Sequence, residues 1–210
     1  GYKVVNAWSS GGNMNNGRGG IGTSKNGTQT ATIGAGGSSP VINYGTNSES
    51  YNGSSWTTTS GLNTGRDTLG GAGTQTAAIG AGGYFYPGGN QDYAESYNGT
   101  SWTSVNSMNT GRYGTAGFGT QTASLVVGGA LPGASDKTES WNGTSWTTLP
   151  ATMNTARSEL GSFGIQTAAV SAGGRTSTAA PARRPPPAPS PGRSSTVPAL
   201  PRAAPRTTSR

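Results

Sequence analysis

Residues 62–102 read LNTGRDTLGGAGTQTAAIGAGGYFYPGGNQDYAESYNGTSW, and residues 108–146 read MNTGRYGTAGFGTQTASLVVGGALPGASDKTESWNGTSW. The two stretches share the same landmarks in the same order: an M/L-N-x-x-R motif, the string GTQTA, a Gly-Gly pair, a Glu-Ser pair, an aromatic-Asn-Gly and a tryptophan. The pattern extends in both directions. GTQTA occurs at 27–31, 73–77 and 119–123 and GIQTA at 164–168, so successive offsets are 46, 46 and 45. Gly-Gly falls at 36–37, 82–83, 128–129 and 173–174, and Glu-Ser at 49–50, 95–96 and 139–140. Aromatic-Asn-Gly falls at 51–53, 97–99 and 141–143, and the arginine motif at 14–18, 62–66, 108–112 and 153–157. Trp8, Trp56, Trp102 and Trp146 complete the set. Agreement at a fixed period marks a tandem-repeat domain over residues 1–174, in blocks of roughly 1–50, 51–96, 97–140 and 141–174.

A unit of about 46 residues holding several short strands has the size of one β-propeller blade. The expected strands are a after the arginine (66–72), b from Thr-Gln-Thr to Gly-Gly, c ending at the aromatic, and d carrying the tryptophan. Asn-Gly between strand-like runs predicts a two-residue type I′ hairpin, because both turn positions then need positive φ. That register pairs Tyr51 with Ser54 and Glu49 with Trp56. It leaves Tyr51 and Trp56 diagonal on one face, where their rings can touch. Tyr97 with Trp102 and Trp141 with Trp146 repeat the arrangement, and these pairs are expected to pack each unit on its neighbour. The Ala and Gly of strand b (AAIGAGG, 77–83) let adjacent sheets approach closely.

Composition narrows the function. The chain is 30% hydrophobic and only 10% charged, with 37 glycines in 210 residues. Such a mixture suggests disorder unless, as here, small polar residues recur in register with aromatic ones. There is no cysteine and no histidine. Disulfides, thiolate nucleophiles, Ser-His-Asp and Cys-His constellations and zinc sites are therefore excluded, and no metal, cofactor or catalytic residue is expected. A carboxylate pair for glycoside hydrolysis would need Asp92 and Asp136 to converge from different units, which nothing in the sequence promotes. No apolar run approaches membrane-spanning length, so membrane insertion is not expected. All seven acids and seven of the fourteen Lys/Arg lie within residues 1–174, so that region is neutral. The excess charge sits in Arg175, Arg183, Arg184, Arg193, Arg202, Arg206 and Arg210. The repeat region thus lacks the basic surface that nucleic-acid binding requires.

The order Gly-Gly, aromatic, Trp, then Met-x-x-x-Arg resembles the kelch repeat across residues 1–174. It departs from the usual pattern in the spacing of aromatic and tryptophan, only five residues at 51/56, 97/102 and 141/146. MNTGR and the repeated GTQTA resemble kelch-like repeats of tailed-phage virion proteins. The resemblance implies an all-β, kelch-like propeller of about four blades, closed or part of a ring. It also implies a tail-fibre, adhesin or capsid-decoration role on a virion or in the extracellular space. Host-surface glycan or protein, other virion subunits or further copies of the chain would be its partners. The alternative is a cytoplasmic kelch-type scaffold for protein–protein interaction.

The recurrent Arg18, Arg66, Arg112 and Arg157 with Glu49, Glu95 and Glu139 either line a ligand channel or fasten each unit. Their regular repetition favours fastening, since repeat proteins preserve the terms that hold repeats together. Gln29, Gln75, Gln121 and Gln166 are expected to satisfy buried backbone groups. The N-G-[ST] sequences at Asn26, Asn52, Asn98 and Asn142 are formal glycosylation sites, but turn chemistry explains the last three. Binding is expected where repeats differ. The b–c connections 38–48, 84–94 and 130–138 vary in length and composition, and b–c and d–a loops share one rim. Variable loops on a rigid scaffold are where recognition usually resides. Tyr44, Tyr84, Phe85, Tyr86, Asn90, Asp92 and Tyr93 are therefore the candidate ligand-binding residues.

After Gly174 the composition changes. Residues 175–210 hold nine of the thirteen prolines and half the basic residues, with no acid and no aromatic. This reads as a disordered, Pro/Arg-rich arm. The run Arg193–Pro198 (RSSTVP) can be encoded so that a neighbouring reading frame gives EEFNGT, the hairpin motif due at that stage of the repeat; the underlying DNA decides whether that frame continues the pattern. The start at Gly1 reads as processed, trimmed or a fragment. The N-terminal segment Tyr2–Trp8, with Val4, Val5 and Trp8 as strand residues, is expected to complete the last unit beside Gln166–Gly173. The alternative is a fragment of a larger ring whose open edge pairs between subunits.

Overall fold

The structure, a computed structural model, describes residues 11–40 and 44–176. The described chain is all-β and helix-free, and its strands form antiparallel sheets. The first sheet runs β1 (Gly22–Thr23), β2 (Thr32–Ala35), β3 (Ser48–Tyr51), β4 (Trp56–Thr59), in that spatial order. The second unit begins with β5 (Gly70–Gly73) and β6 (Ala78–Ala81). A small ribbon follows, β7 (Tyr84–Phe85) with β8 (Gly89–Asn90), before β9 (Ala94–Tyr97) and β10 (Trp102–Val105). Its sheet order is β5-β6-β9-β10. The third unit repeats this with β11 (Ala116–Gly119), β12 (Ser124–Val127), the ribbon β13 (Ala130–Leu131) and β14 (Gly133–Ala134), β15 (Thr138–Trp141) and β16 (Trp146–Thr148). The fourth contributes the hairpin β17 (Gly161–Ile165) and β18 (Ala168–Ala172). The expected closure by Tyr2–Trp8, including Trp8, lies outside the described residues, as does most of the tail. Arg175, which composition assigns to the tail, is bridged to Ser158 and ion-paired with Glu159.

The c–d hairpins differ from the type I′ expectation. Tyr51 stands directly opposite Trp56, Tyr97 opposite Trp102 and Trp141 opposite Trp146. The connection is a four-residue turn with the asparagine at its start. Asn52 Oδ1 accepts from the N–H groups of Ser54 and Ser55, each at 2.9 Å, while the Asn52 N–H donates to Ser55 O at 3.2 Å. Asn98 and Asn142 do the same. The asparagine side chain thus caps the turn, as Asx turns do, and the rings meet face-on across the ladder. Their centroids lie 5.0, 5.1 and 5.2 Å apart, each pair tilted by 37°.

The innermost strands of successive units pack backbone to backbone: β5 on β1, β11 on β5 and β17 on β11. The sequence permits this only through glycine. A Cβ on Gly117 would strike the Gly71 backbone, and one on Gly71 would strike the Thr23 carbonyl. Ahead of these strands a backbone relay links unit to unit. Thr68 N–H donates to Gly20 O, Gly114 N–H to Thr68 O and Glu159 N–H to Gly114 O, at 2.5, 2.8 and 2.7 Å. The four positions share positive φ, from 52° at Thr68 to 66° at Gly20. They surround a cavity of about 220 Å³ that all four units line, including Ile21, Thr68, Thr115 and Leu160. Asn26 spans further, donating from its side chain to Gly119 O of the third unit at 3.0 Å.

Apolar cores lie between successive units. Ile33, Ala35 and the loop residues Leu62 and Leu69 meet Ala78, Tyr97 and Trp102. Ile79, Ala94 and Met108 meet Val126, Trp141 and Trp146. Each buried tryptophan therefore serves the interface with the preceding unit. Trp56, with no described unit ahead of it, is only half-buried.

Candidate functional site

The repeated charged residues form ion pairs inside three units. Arg18 pairs with Glu49, Arg66 with Glu95 and Arg112 with Glu139, all with side chains shielded from solvent. Each glutamate rises from the third main strand of its sheet and receives backbone N–H groups as well. Asn15, Asn63 and Asn109 donate to Oε2 of Glu49, Glu95 and Glu139 at 2.7 Å each. Each arginine also reaches a carbonyl at the Gly-Gly step, Gly36, Gly82 or Gly128. The network thus ties the loop entering a unit to its second and third strands, the fastening role that repetition suggests. Arg157 donates to Gly173 O at 3.1 Å, and no carboxylate lies on it among the described residues.

Two members show how burial and pairing compete. Burial pushes the Glu49 carboxyl up, but the Arg18 guanidinium and the Asn15 and Asn16 N–H groups more than offset it, so its pKa falls below the ordinary value. A depressed carboxylate pKa gives stability that is present above the unfolded value, about 4.3, and lost as pH falls through the folded value. Acid titration of the folded protein should therefore show a stability loss beginning below about pH 4.3 and continuing past it. Glu49→Gln should remove part of that loss, measurable as a shallower dependence of the denaturation midpoint on pH. Arg112 sits deeper. Burial lowers its pKa, with Glu139 acting against that, and its Nε has no partner among the described groups. It remains a cation, as arginine does in proteins.

The glutamines join units. Gln75 donates to Thr32 O and Tyr51 O, Gln121 to Ala78 O and Tyr97 O, and Gln166 to Ser124 O and Trp141 O. Gln29 is exposed and makes no such bond among the described residues.

The candidate binding residues separate into two groups. Tyr44 meets Tyr84 at 5.8 Å and Phe85 at 5.9 Å between ring centroids, and Tyr84 meets Tyr113 at 5.5 Å. Tyr113 is buried, and Tyr44 and Tyr84 are half-buried. These rings form a continuous aromatic row across three successive units, so Tyr44 and Tyr84 serve packing between loops as well as any surface. Phe85, Tyr86 and Tyr93 are 38, 49 and 44% exposed. The β7–β8 ribbon carries Phe85 and Tyr86, with Asn90 opposite Tyr84 and Gln91 folding back to donate to Gly89 O at 2.8 Å. Asp92 and Asp136 work through their backbones, each accepting from the loop that leads to the next unit (Met108 N–H and Met153 N–H). The b–c and d–a loops lie against each other, with the N–H groups of Leu62, Met108 and Met153 donating to Thr46 O, Asp92 O and Asp136 O. Tyr113 escaped the sequence reading. The signal for Tyr113 was an aromatic directly after Arg112, where the other units have Gly19, Asp67 and Ser158.

Among the described residues no group of three acids assembles into a metal-binding cluster. No protein-family model matches the chain, and neither does any curated protein. The arrangement offers a rigid scaffold, ion-paired within units and glutamine-linked between them, with flat exposed rings on one rim.

Proposed function

We propose that the chain is a kelch-like β-propeller repeat protein that works without catalysis, as a binding and structural module on a virion or another extracellular surface. The propeller reading rests on successive four-stranded sheets whose inner strands pack around one cavity lined by all four units. The binding reading rests chiefly on Phe85, Tyr86 and Tyr93, exposed rings on the connection that differs most between otherwise matching units. Tyrosine presents an apolar face and a polar hydroxyl, which suits sugar rings and protein surfaces alike. The ligand is a surface glycan or protein, and the rim engages it by stacking and hydrogen bonding rather than by charge, since the repeat region is neutral.

Replacing Phe85, Tyr86 and Tyr93 together by serine tests this. Attachment to a glycan array or host-cell surface should weaken by at least about tenfold, because interface affinity concentrates in a few aromatic anchors. The melting temperature should stay nearly constant, because exposed loop-tip side chains contribute little to stability. Unchanged attachment by the folded triple variant would place recognition elsewhere.

A further inference from the structure

The exposed large hydrophobic side chains of the second b–c connection, Phe85, Tyr86 and Tyr93, are all aromatic. What surrounds them is almost free of charge. The connection 38–48 has no charged residue and 84–94 has only Asp92, while Lys137 on 130–138 is the sole cation of the three b–c connections. The arginines of the adjoining loops turn inward: the side chains of Arg18, Arg66 and Arg112 are 0% exposed, and each holds its glutamate. Asp67 is buried as well, accepting from the Ser38 hydroxyl at 2.7 Å. Among the described residues, half-buried Asp92 is thus the one charge that reaches the surface in the loops around the exposed rings.

Neutral hydrogen-bonding groups stand in the same place. Asn90 lies opposite Tyr84 on the β7–β8 ribbon, half-buried, and its amide makes no hydrogen bond among the described residues. The same holds for the hydroxyls of Tyr86 and Tyr93. The bond from Met108 N–H to Asp92 O, at 2.9 Å, brings the next d–a loop alongside, with exposed Ser107 next to Met108 as Tyr93 is next to Asp92. Half-buried Tyr44 continues the aromatic surface into the first unit, 5.9 Å from Phe85 between centroids. The two ring planes stand at 72°, so one flat sugar ring cannot lie on both.

We propose that this loop surface binds a neutral oligosaccharide, engages more than one of its sugar residues, and discriminates against acidic glycans. The inference rests on the binding role given to Phe85, Tyr86 and Tyr93 above. A pyranose has an apolar C–H face, which suits the negative face of an aromatic ring, and hydroxyls at its edge. Those hydroxyls meet the Asn90 amide, which both donates and accepts, and the tyrosine hydroxyls, which do the same. A carboxylate or sulfate brought against the rings would lose hydration with no cation to replace it, a cost that uncharged sugars avoid. A protein partner fits less well. Protein-binding surfaces are enriched in methionine and arginine beside their aromatic residues. Here Met108, Arg66 and Arg112 are buried, and the side chains left at the surface are aromatic rings, amides and hydroxyls.

The full chain is applied to an array of neutral, sialylated, uronic and sulfated glycans, and the strongest neutral binder is then titrated calorimetrically as its monosaccharide and its longer oligosaccharides. Neutral glycans should lead the array. Affinity should rise by at least about tenfold from the monosaccharide to the longer forms, since more than one ring is used. It should hold within about twofold as sodium chloride rises from about 0.05 to about 0.5 M, because uncharged contacts are not screened. Asn90→Ala should weaken binding by about fivefold, the scale of one neutral hydrogen bond. Lys137→Gln should leave it unchanged. Circular dichroism checks that both variants stay folded. An array led by acidic glycans, a steep fall with salt, or no neutral glycan bound overturns the proposal. If attachment then goes to an acidic glycan or a host protein and the triple serine variant at Phe85, Tyr86 and Tyr93 loses it, the aromatic site stands and only the neutral-sugar inference falls. Neutral-glycan binding that the triple variant retains sinks both, because the sugar is then held elsewhere.

Discussion

Trp102→Ala should destabilise the protein by about 3–5 kcal/mol, the range for truncating a buried aromatic side chain. Trp102 is buried among Ile33, Ala35, Leu62, Leu69, Ala78 and Tyr97, so it belongs to two sheets at once. Its ring stacks on Tyr97 at 5.1 Å, and its Nε1–H donates to the buried Ser48 hydroxyl at 3.0 Å. Alanine would leave a void at the inter-unit seam and strip the Ser48 hydroxyl of its donor. Such interiors relax only partly, so both losses register. Trp102→Phe keeps much of the packing and isolates the hydrogen bond, with an expected loss nearer 1–2 kcal/mol beyond minor packing changes. Trp56→Ala provides the contrast. It has the same place in the repeat and the same ring partner, but it is half-buried, so about 1–2 kcal/mol is expected from the area it covers. Chemical denaturation of the three variants decides the matter. Equal losses at Trp102 and Trp56 would mean that the ring pair alone, and not burial against the preceding unit, supplies the stability.

The contrast shows what the sequence made legible. The period, the order of strands and the strand-borne ring pairs follow from residues that recur at fixed offsets, because turns and strand alternation need particular residue types at particular places. The Arg–Glu fastening was legible for the same reason: one of each returned in every complete block. The turn register was not. Asn-Gly is compatible with a two-residue hairpin or with a longer turn capped by the asparagine side chain, and the choice depends on hydrogen bonds to Ser54 and Ser55 that no period reveals. The rim was half legible. The tyrosines were visible as a cluster in a variable loop, but Tyr84 packs between Tyr44 and Tyr113. That sandwich requires loops of three units to meet, which is a tertiary fact. The difference between Trp56 and Trp102 is likewise invisible in one repeat, since it depends on which unit has a neighbour ahead of it.

Glu95→Gln should destabilise by about 3–5 kcal/mol, the penalty for leaving one partner of a buried ion pair uncompensated. Glu95 and Arg66 are both excluded from solvent, and their contact is 2.5 Å. The carboxylate also accepts from Asn63 N–H at 2.7 Å, and Arg66 Nε donates to Gly82 O at 2.9 Å. A glutamine could still accept from Asn63, but its amide would face the guanidinium with no charge to neutralise it. The lost energy is therefore mainly the stranding of the Arg66 cation rather than the net worth of the pair. That reasoning makes a second, sharper statement. Removing both charges, as in Glu95→Leu with Arg66→Met, should be less damaging than Glu95→Gln alone, because two apolar side chains of similar size leave no buried ion behind. Some loss remains, since the Asn63 N–H and the Gly82 carbonyl each lose a partner. A double-mutant cycle by urea denaturation separates the terms. If the double variant is as unstable as the sum of the single ones, the two residues act independently and the ion pair is not the fastener of the unit. A loss below about 1 kcal/mol for Glu95→Gln would show that water reaches the pair after all and screens it as it screens surface pairs.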